Sequence, residues 1–213
     1  MKKIFLILLF VIMGVASFIV IRSVVHSKKQ YNVQKEIASN IIRFHVRANS
    51  DSKEDQQLKL AVKDSVVQYL EKRMEGVESL DEARKILYDD SDSIKRLALD
   101  VIRGLGYGYD VRVYFSKEFF PLKEYGDMSF PPGEYEAFRV DIGDSEGRNW
   151  WCVLFPPLCF VDSACSIVPE DSKEIFRNYL SDEAYSAITL KSLRESDCKI
   201  RFRYLKFLNK LFE

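Results

Sequence analysis

The stretch from Asn149 to Phe160 constrains the fold of this chain more than any other segment. It reads Asn-Trp-Trp-Cys-Val-Leu-Phe-Pro-Pro-Leu-Cys-Phe and holds both tryptophans of the chain, two of its four cysteines and a tandem proline. Tryptophan is the most area-rich side chain, and proline cannot donate a hydrogen bond to a sheet ladder. Because an ordinary core strand needs no such combination, we expect the segment to have a special structural or functional role.

A second constraint is the N-terminal run from Ile4 to Ile21, which is 18 residues long, carries no charge and follows two lysines. At a helical rise of about 1.5 Å per residue, such a run nearly spans the apolar core of a bilayer. We therefore expect residues 1–22 to be a signal peptide or a signal anchor in the form of a transmembrane helix, and residues 23–40 to be a tether. Cleavage stays open, because the small residues Val15-Ala16-Ser17 lie inside the apolar run.

Charge and cysteine content narrow the class of protein. Basic residues lie on both sides of the apolar run, so the positive-inside rule does not decide its orientation. Without residues 1–22, which hold three basic and no acidic side chains, the chain keeps 29 basic and 32 acidic side chains. Nucleic-acid-binding proteins carry a clear basic surplus, so this class is disfavoured. Four cysteines suit an oxidising compartment, although buried cytosolic thiols would look the same.

Residues 41–213 are long enough for one domain and too short for two comfortable ones. Residues 42–49 alternate apolar and polar side chains, which is typical of a half-buried strand. Ser52 followed by Asp55 approximates a capping box, and apolar residues at helical spacing continue to about Met74. The sequence therefore predicts a strand that leads directly into an amphipathic helix.

Two further helices are predicted before residue 104, the first opening at Ser79. Gly104, Gly106 and Gly108 follow the second. Their spacing resembles a nucleotide-binding loop, but they come after a helix and before a strand, the reverse of a dinucleotide fingerprint. We interpret them as a helix end and a turn.

Residues 109–115 and 134–142 each alternate in the manner of a strand. The segment 120–133 between them is rich in aromatic residues and proline, and is predicted to be an extended loop that cannot pair as a central strand. Asp144–Gly147 is predicted to be a turn. The strand ending near Ile142 and the Trp-Trp-Cys strand should therefore form an antiparallel hairpin.

The C-terminal part of the chain returns to helix, with predicted starts at Asp171 and Ser181. Residues 199–206 alternate again and predict a last strand with one or two helical turns after it; a basic amphipathic helix running to Phe212 is the alternative. The predicted fold class is α+β, with a mainly antiparallel sheet, helices on one face and an N-terminal membrane-directed helix in front.

Three motifs carry a family resemblance: Ile42–Ser52 with Glu54-Asp55-Gln56 and Leu58-Lys59 after it, Gly133–Val140, and Asn149–Cys159. From about Ile41 to the C-terminus the chain resembles the stage II sporulation protein R family of endospore-forming bacteria. The resemblance implies a signalling protein that is made in the forespore and exported across its membrane into the intermembrane space. There it would activate a membrane-embedded aspartic protease, which removes the pro-sequence of the mother-cell sigma factor.

The resemblance also implies that residues 41–213 form an extracytoplasmic signalling domain, secreted or anchored by the N-terminal helix. Its expected partners are the protease and, through the N-terminal segment, the membrane. No enzyme activity, nucleic acid, small-molecule substrate or cofactor is expected. Two alternatives stay open: a structural envelope protein, and a secreted thiol hydrolase in which Cys152 or Cys159 is the nucleophile and His45 the base. With only two histidines in the chain, a histidine-rich metal site is excluded.

Two groups of residues are candidates for binding the partner. One candidate recognition surface consists of polar residues of the first strand and the loop after it, namely Arg43, His45, Arg47, Asn49 and Asp51. An exposed or hydrogen-bonded histidine is the simpler interpretation of His45. Trp150, Trp151, Pro156 and Pro157 form the other, because aromatic and apolar groups beside a turn are typical of interface anchors. Core packing is the alternative, with Trp151, Val153 and Phe155 facing the core and Trp150 and Leu154 against the C-terminal helices.

In an oxidising compartment Cys152 and Cys159 are candidates for a disulfide. A tight hairpin at the two prolines would leave these cysteines diagonal and about 7–8 Å apart, whereas an open loop of six residues brings them within reach. We favour this pairing over pairings through Cys165 or Cys198, and free buried thiols are the alternative.

Overall fold

The computed structural model describes residues 2–159 and 167–189, and of residues 2–9, 11 and 12 only the backbone. The helices are α1 (Lys2–Ser39), α2 (Lys53–Arg73), α3 (Leu80–Asp89), α4 (Ser91–Gly104), α5 (Glu170–Tyr179) and α6 (Asp182–Ile188). The strands are β1 (Ile42–Arg47), β2 (Val111–Phe120), β3 (Lys123–Tyr125), β4 (Met128–Phe130), β5 (Gly133–Ile142) and β6 (Asn149–Phe155).

Helix α1 confirms the predicted N-terminal helix and continues through the segment expected to be a tether. The large apolar side chains that the structure describes between Phe10 and Val25 are 54% to 67% exposed, whereas Ile37 is fully buried. Among the described residues, no helix combines the length and the apolar character that crossing a membrane requires.

The C-terminal third of α1 is fastened to the domain. Lys29 Nζ lies 2.7 Å from a carboxylate oxygen of Glu183. Glu36 accepts hydrogen bonds from the backbone N–H of Ser181 at 2.6 Å and from its hydroxyl group at 3.0 Å. Because Ile37 is buried beside these contacts, this end of the helix is part of the folded domain.

The predicted strand and helix after residue 41 are confirmed as β1 and α2. Ser52 is the N-cap of α2, and its side chain accepts a hydrogen bond from the backbone N–H of Asp55 at 3.1 Å. Leu58, Val62 and Val66 lie at helical spacing and are buried. The capping residue and the apolar stripe therefore define the start and the inner face of the helix.

Helices α3 and α4 and the glycine-rich turn are also confirmed. The side chain of Ser79 accepts a hydrogen bond from the backbone N–H of Glu82 at 3.2 Å and caps α3. Helix α4 ends at Gly104, and Gly106 has a φ of +84°. Since that φ is in the left-handed region, glycine is favoured there.

The central sheet has the strand order β2-β5-β1-β6. β1 is parallel to β5 and antiparallel to β6, and β2 is antiparallel to β5. The sheet is therefore mixed, and the expectation of a mainly antiparallel sheet is correct only for these two outer pairs. The predicted hairpin of β5 and β6 is wrong, because β1 lies between the two strands.

The loop of residues 143–148 that joins β5 to β6 crosses the end of β1. Glu146 and Gly147 donate backbone hydrogen bonds at 3.0 Å to the carbonyl groups of Asn49 and Ala48. A Cβ atom at Gly147 would collide with the backbone carbonyl of Ser50. The short loop spans two strand spacings, about 9–10 Å, and glycine permits the close crossing.

The segment predicted to be an extended loop contains a second, two-stranded sheet of β3 and β4. Tyr125 pairs with Met128 next to the turn at Gly126, whose φ is +55°. The segment stays out of the central sheet, as predicted, but its strands pair with each other.

Apolar residues cover both faces of the central sheet. Helices α2, α3 and α4 pack on Phe44, Val46 and Val140 to form a first core. A second core on the opposite face combines the end of α1, the β3–β4 hairpin and α6 with residues such as Tyr135 and Val153. The prediction of helices on one face is therefore wrong.

The two C-terminal helices begin close to the predicted positions. The hydroxyl group of Ser181 accepts a hydrogen bond from the backbone N–H of Ala184 at 3.2 Å and caps α6. The predicted last strand at 199–206, Cys165 and Cys198 lie outside the described residues.

Candidate interaction surface

The predicted recognition residues of β1 lie on the face of the sheet opposite α2–α4. Arg43 is fully buried and His45 is 3% exposed, whereas Arg47 is half-buried. Arg43 and His45 therefore cannot contact a partner at the surface as predicted. The polar alternation of β1 instead marks a second buried face, from which only Arg47 reaches solvent.

Arg43 lies inside a cage of aromatic rings. Its guanidinium carbon is 4.6 to 5.7 Å from four ring centroids, those of Phe120, Tyr125, Phe130 and Tyr135. It donates a hydrogen bond to the Tyr125 hydroxyl group at 3.2 Å, while its Nε and Nη1 have no partner among the described residues. Burial lowers the pKa of Arg43. Arg43 thus holds the β3–β4 hairpin against the central sheet through cation–π contacts.

His45 is oriented by Glu118, whose carboxylate lies 3.0 Å from Nδ1. Burial lowers the pKa of His45 to about 4, and the guanidinium groups of Arg139 and Arg47 act in the same direction. The ring is therefore neutral at neutral pH, and its Nδ1–H donates to Glu118. Its Nε2 is buried without a hydrogen bond to any described residue.

His45 is surrounded by a network of charged side chains, which the sequence patterns did not predict. Arg139 donates to both carboxylate oxygens of Asp141, at 2.7 and 2.9 Å, and forms an ion pair with Glu118. The hydroxyl group of Tyr114 donates to Asp141 at 2.8 Å. Burial and this hydrogen bond raise the pKa of Tyr114. The network neutralises Arg139 and leaves no free carboxylate oxygen on Asp141.

Asn49 and Asp51, the other predicted recognition residues, bind the loop between β5 and β6. The side-chain oxygen of Asn49 accepts the backbone N–H of Asp144 at 2.9 Å. The carboxylate of Asp51 accepts the backbone N–H of Arg148 at 2.6 Å. Both side chains therefore hold the crossing loop in place within the domain.

Asp55 is the centre of this loop contact. It is 4% exposed, and it accepts hydrogen bonds from Ser50 Oγ at 2.5 Å and from Asn49 Nδ2 at 2.9 Å. Burial alone would raise the pKa of Asp55, but the hydrogen bonds from Ser50 and Asn49 outweigh it and hold the pKa below its ordinary value. The carboxylate is thus charged and fixes the β1–α2 loop.

The two tryptophans of β6 lie on opposite faces of the sheet. Trp150 meets Phe44 edge-on with ring centroids 5.8 Å apart, and Lys63 Nζ lies 5.2 Å from its ring. Trp151 lies 6.0 Å from the His45 ring and 4.4 Å from Lys123 Nζ. Both tryptophans are half-buried, so each both packs in the domain and presents part of its ring to solvent.

The predicted grouping of the β6 side chains is wrong in part. Trp151 and Val153 face the second core, as neighbours on one side of a strand should. Trp150 and Leu154 pack in the first core, with α2–α4. The register of β6 shifts opposite Ile42, so Phe155 also joins the first core.

Cys152 and Cys159 are joined in a disulfide, with Cα atoms 5.5 Å apart. Cys152 faces the first core, whereas His45 lies on the other face of the sheet. The thiol–histidine pair of a hydrolase is therefore not assembled. Within the described ranges, no group of three histidine, cysteine, aspartate or glutamate side chains could hold a metal.

The two prolines pack against the domain. Pro156 is buried and Pro157 is half-buried. The hydroxyl group of Ser172, at the start of α5, donates to the carbonyl oxygen of Pro157 at 3.0 Å. Of the predicted partner-binding residues, Arg47, the two tryptophans and Pro157 reach solvent and do not hold the β5–β6 loop by hydrogen bonds. Their role in binding stays a prediction.

Comparison with known proteins identifies the family. The family model described as Stage II sporulation protein R (spore_II_R) matches residues 38–165, which include the whole central sheet. The stage II sporulation protein R of Bacillus subtilis (strain 168) is 32% identical over 197 residues, an alignment that covers 87% of this chain and 88% of that protein. No solved structure matches the chain. The chain therefore belongs to the stage II sporulation protein R family.

Proposed function

We propose that this protein is an exported sporulation signal that is made in the forespore and acts on the mother cell. It activates a membrane-embedded aspartic protease, which removes the pro-sequence of the mother-cell sigma factor. The observation that carries the proposal is the 32% identity to the Bacillus subtilis protein over 87% of this chain.

Two features support export into the intermembrane space. The disulfide between Cys152 and Cys159 suits an oxidising compartment outside the cytoplasm. Helix α1 exposes an apolar stretch that includes Phe18 and Ile21, at 63% and 61%. Exposed apolar surface of this kind is typical of a segment that meets a membrane or an export machinery. Residues 1–22 then direct export, and the domain is secreted or stays associated with the membrane through its N-terminal segment.

Several contacts favour action by binding over catalysis. The thiol hydrolase alternative needs a free Cys152 or Cys159 beside His45, but the cysteines are bonded to each other. His45 has a carboxylate at Nδ1, as a general base requires, yet the side chains that face it are rings, guanidinium groups, carboxylates and an amide. Among the described residues, that set contains no thiol or hydroxyl nucleophile of the kind that the hydrolase alternative requires.

The test is co-expression of the chain with the candidate protease and its pro-sigma substrate, scored by immunoblot for the shortened substrate. We expect processing only when all three are present. A protease variant without its catalytic aspartate is the control and should give no cleavage. Processing in cells without the protease would contradict activation and would assign the cleavage to the chain itself. Absence of processing with all three proteins present would refute the proposed function.

A further inference from the structure

The two edges of the central sheet differ in how far the chain itself covers them. At the β6 edge, the carbonyl group of Val153 accepts hydrogen bonds from the backbone N–H groups of Leu158 and Cys159. The carbonyl group of Trp151 accepts one from the hydroxyl group of Tyr125 at 3.3 Å. At the opposite edge, β2 pairs along its 10 residues with β5 and with no other described strand. A long strand that is unpaired on one side is a template for a further strand.

The open part of the β2 edge excludes the start of the strand. The carbonyl group of Asp110 accepts the backbone N–H of Gly143 at 2.9 Å, and the register of β2 with β5 continues without a shift. Since backbone groups alternate in direction along a strand, the even-numbered residues of β2 turn theirs to β5 and the odd-numbered residues turn theirs to the edge. Val111 is fully buried. The odd-numbered residues after it are half-buried or exposed, and their edge-directed backbone groups bond to no described residue: Val113, Phe115, Lys117 and Phe119.

We propose that the open β2 edge pairs with the same edge of a second copy of this chain, so that two antiparallel β2 strands join the two sheets about a two-fold axis. In a continuous sheet, opposite side chains lie on the same face, so the axis passes through a residue position. An axis at Phe115 would set Phe119 against the buried start of the strand. An axis at Lys117 or at Glu118 would place like charges directly opposite each other, which is destabilising. An axis at Ser116 avoids both faults.

With the axis at Ser116, the residues of the open edge find matching neighbours on the face of the first core. Val113 lies opposite Phe119 of the second copy, an aromatic and β-branched pair of the kind that stabilises sheets. This pair covers a phenylalanine ring that is 69% exposed in the single chain. Lys117 lies opposite Phe115 of the second copy, so its ammonium group can stand over an aromatic ring and does not oppose the pairing.

The other face of the edge matches as well. Arg112 is 60% exposed and lies 3.6 Å from Asp141. With the same axis, Arg112 is diagonal to Glu118 of the second copy, within reach of long side chains. The small side chains of Ser116 meet at the axis itself. This complementarity of the edge with itself identifies a second copy as the occupant, and the pairing does not depend on the protease.

Cysteine cross-linking of the full chain, purified in detergent micelles, tests the register. Ser116→Cys places two thiols at the axis, where opposite Cα atoms lie about 4.5 Å apart, within the range of about 4.4–6.8 Å that disulfides span. Oxidation with copper phenanthroline should therefore give a covalent dimer on a non-reducing gel. Lys117→Cys is the matched control: position 117 is more exposed, but its copy lies beyond the limit of about 7 Å. Random collision would favour the exposed cysteine, so a dimer yield from Ser116→Cys no higher than that from Lys117→Cys or from the wild type would overturn the inference.

Sedimentation equilibrium in the same micelles tests the edge itself. Lys117→Pro removes an N–H that points to the open edge and leaves the ladder with β5 intact, whereas Lys117→Ala keeps that N–H. We expect dimers for the wild type and Lys117→Ala, and a dissociation constant about tenfold higher or more for Lys117→Pro, because the two-fold axis doubles the loss of the hydrogen bond.

A wild type that is monomeric at every concentration, or equal dimerisation of Lys117→Pro and Lys117→Ala, would overturn the inference. A monomeric chain whose binding to the protease falls with Lys117→Pro would assign the edge to that partner and would also overturn it. Circular dichroism checks that Lys117→Pro is folded, and the yield from Ser116→Cys decides the outcome if it is not.

Discussion

Asp55 gives the sharpest test of how the sheet and its crossing loop are held. Asp55→Asn keeps the shape of the side chain but removes its negative charge from the oxygen that accepts both hydrogen bonds, from Ser50 Oγ at 2.5 Å and from Asn49 Nδ2 at 2.9 Å. Hydrogen bonds to a charged group contribute about 1.5–3 kcal/mol each. The asparagine oxygen can still accept both hydrogen bonds, but as neutral ones that contribute only about 0.5–1.5 kcal/mol each, so we expect the free energy of unfolding to fall by about 2–3 kcal/mol. For a domain of this size, that lowers Tm by roughly 5–10 °C.

The matched control is Glu54→Gln, because Glu54 lies in the same first turn of α2 and is exposed. It removes the same interaction with the helix dipole, about 0.3–1 kcal/mol, without the loop contacts. Urea denaturation followed by circular dichroism at pH 7 measures both variants.

The pH dependence of the difference tests the charge on Asp55. The hydrogen bonds lower the pKa of this carboxyl group in the folded state, so its contribution is fully present above the ordinary aspartate pKa, about 3.9. It is lost as the pH falls through the lower folded-state value. The stability gap between wild type and Asp55→Asn should therefore be constant from pH 7 to 5 and shrink towards pH 3. A gap no larger than that of Glu54→Gln, or one that does not shrink, would refute the reasoning.

Three further predictions concern stability. The Cys152→Ser, Cys159→Ser double variant opens a loop whose ends are 7 positions apart. Urea denaturation should show a free energy of unfolding lower by about 2.5 kcal/mol, because the unfolded chain gains loop entropy. Dithiothreitol should destabilise the wild type by the same amount and leave the variant unchanged. In thermal melts, Gly143→Ala, at a φ of +55°, should lower the free energy of unfolding by about 1–3 kcal/mol. Gly108→Ala, which faces open space, should lower it by less than about 1 kcal/mol. Arg43→Lys should lose about 2 kcal/mol, because an ammonium group cannot stack in the cage; a melt identical to that of the wild type would contradict the cation–π contacts.

The sequence predicted the individual helices and strands better than the order of the strands in the sheet. β1, α2 and their capping residues follow from local patterns, since alternation and the Ser52 cap act within a few residues. Strand order depends on contacts distant in sequence. Residues 143–148 look like a hairpin turn because they are short and contain glycine, but these glycines serve a crossing over the end of β1. Alternation cannot distinguish these two uses of a short loop.

The candidate site was predicted in part for a similar reason. The pattern placed Arg43, His45 and Arg47 correctly on one side of a strand, but it could not show that an aromatic hairpin covers Arg43. Arginine is almost never fully buried unless it is paired, so sequence reasoning assigned Arg43 to the surface. The network of Arg139 and Asp141 was missed because Glu118 and Tyr114 join it only when β2 lies beside β5, and His45 joins only when β1 lies on the other side of β5. The resemblance in motifs, by contrast, identified the family directly.

If the proposed membrane association holds, the continuous helix α1 would act as a rigid spacer for the domain. Its apolar run ends at Ile21, and its contacts with the domain begin near Lys29 and Val33. Val33 lies 12 positions after Ile21 in this helix, which corresponds to a distance of about 18 Å along the helix axis. A domain held at a membrane by this helix would therefore stand at a fixed height and with a limited set of orientations. Its search for a membrane-embedded partner would become two-dimensional, and its effective concentration near that partner would rise without any additional contact.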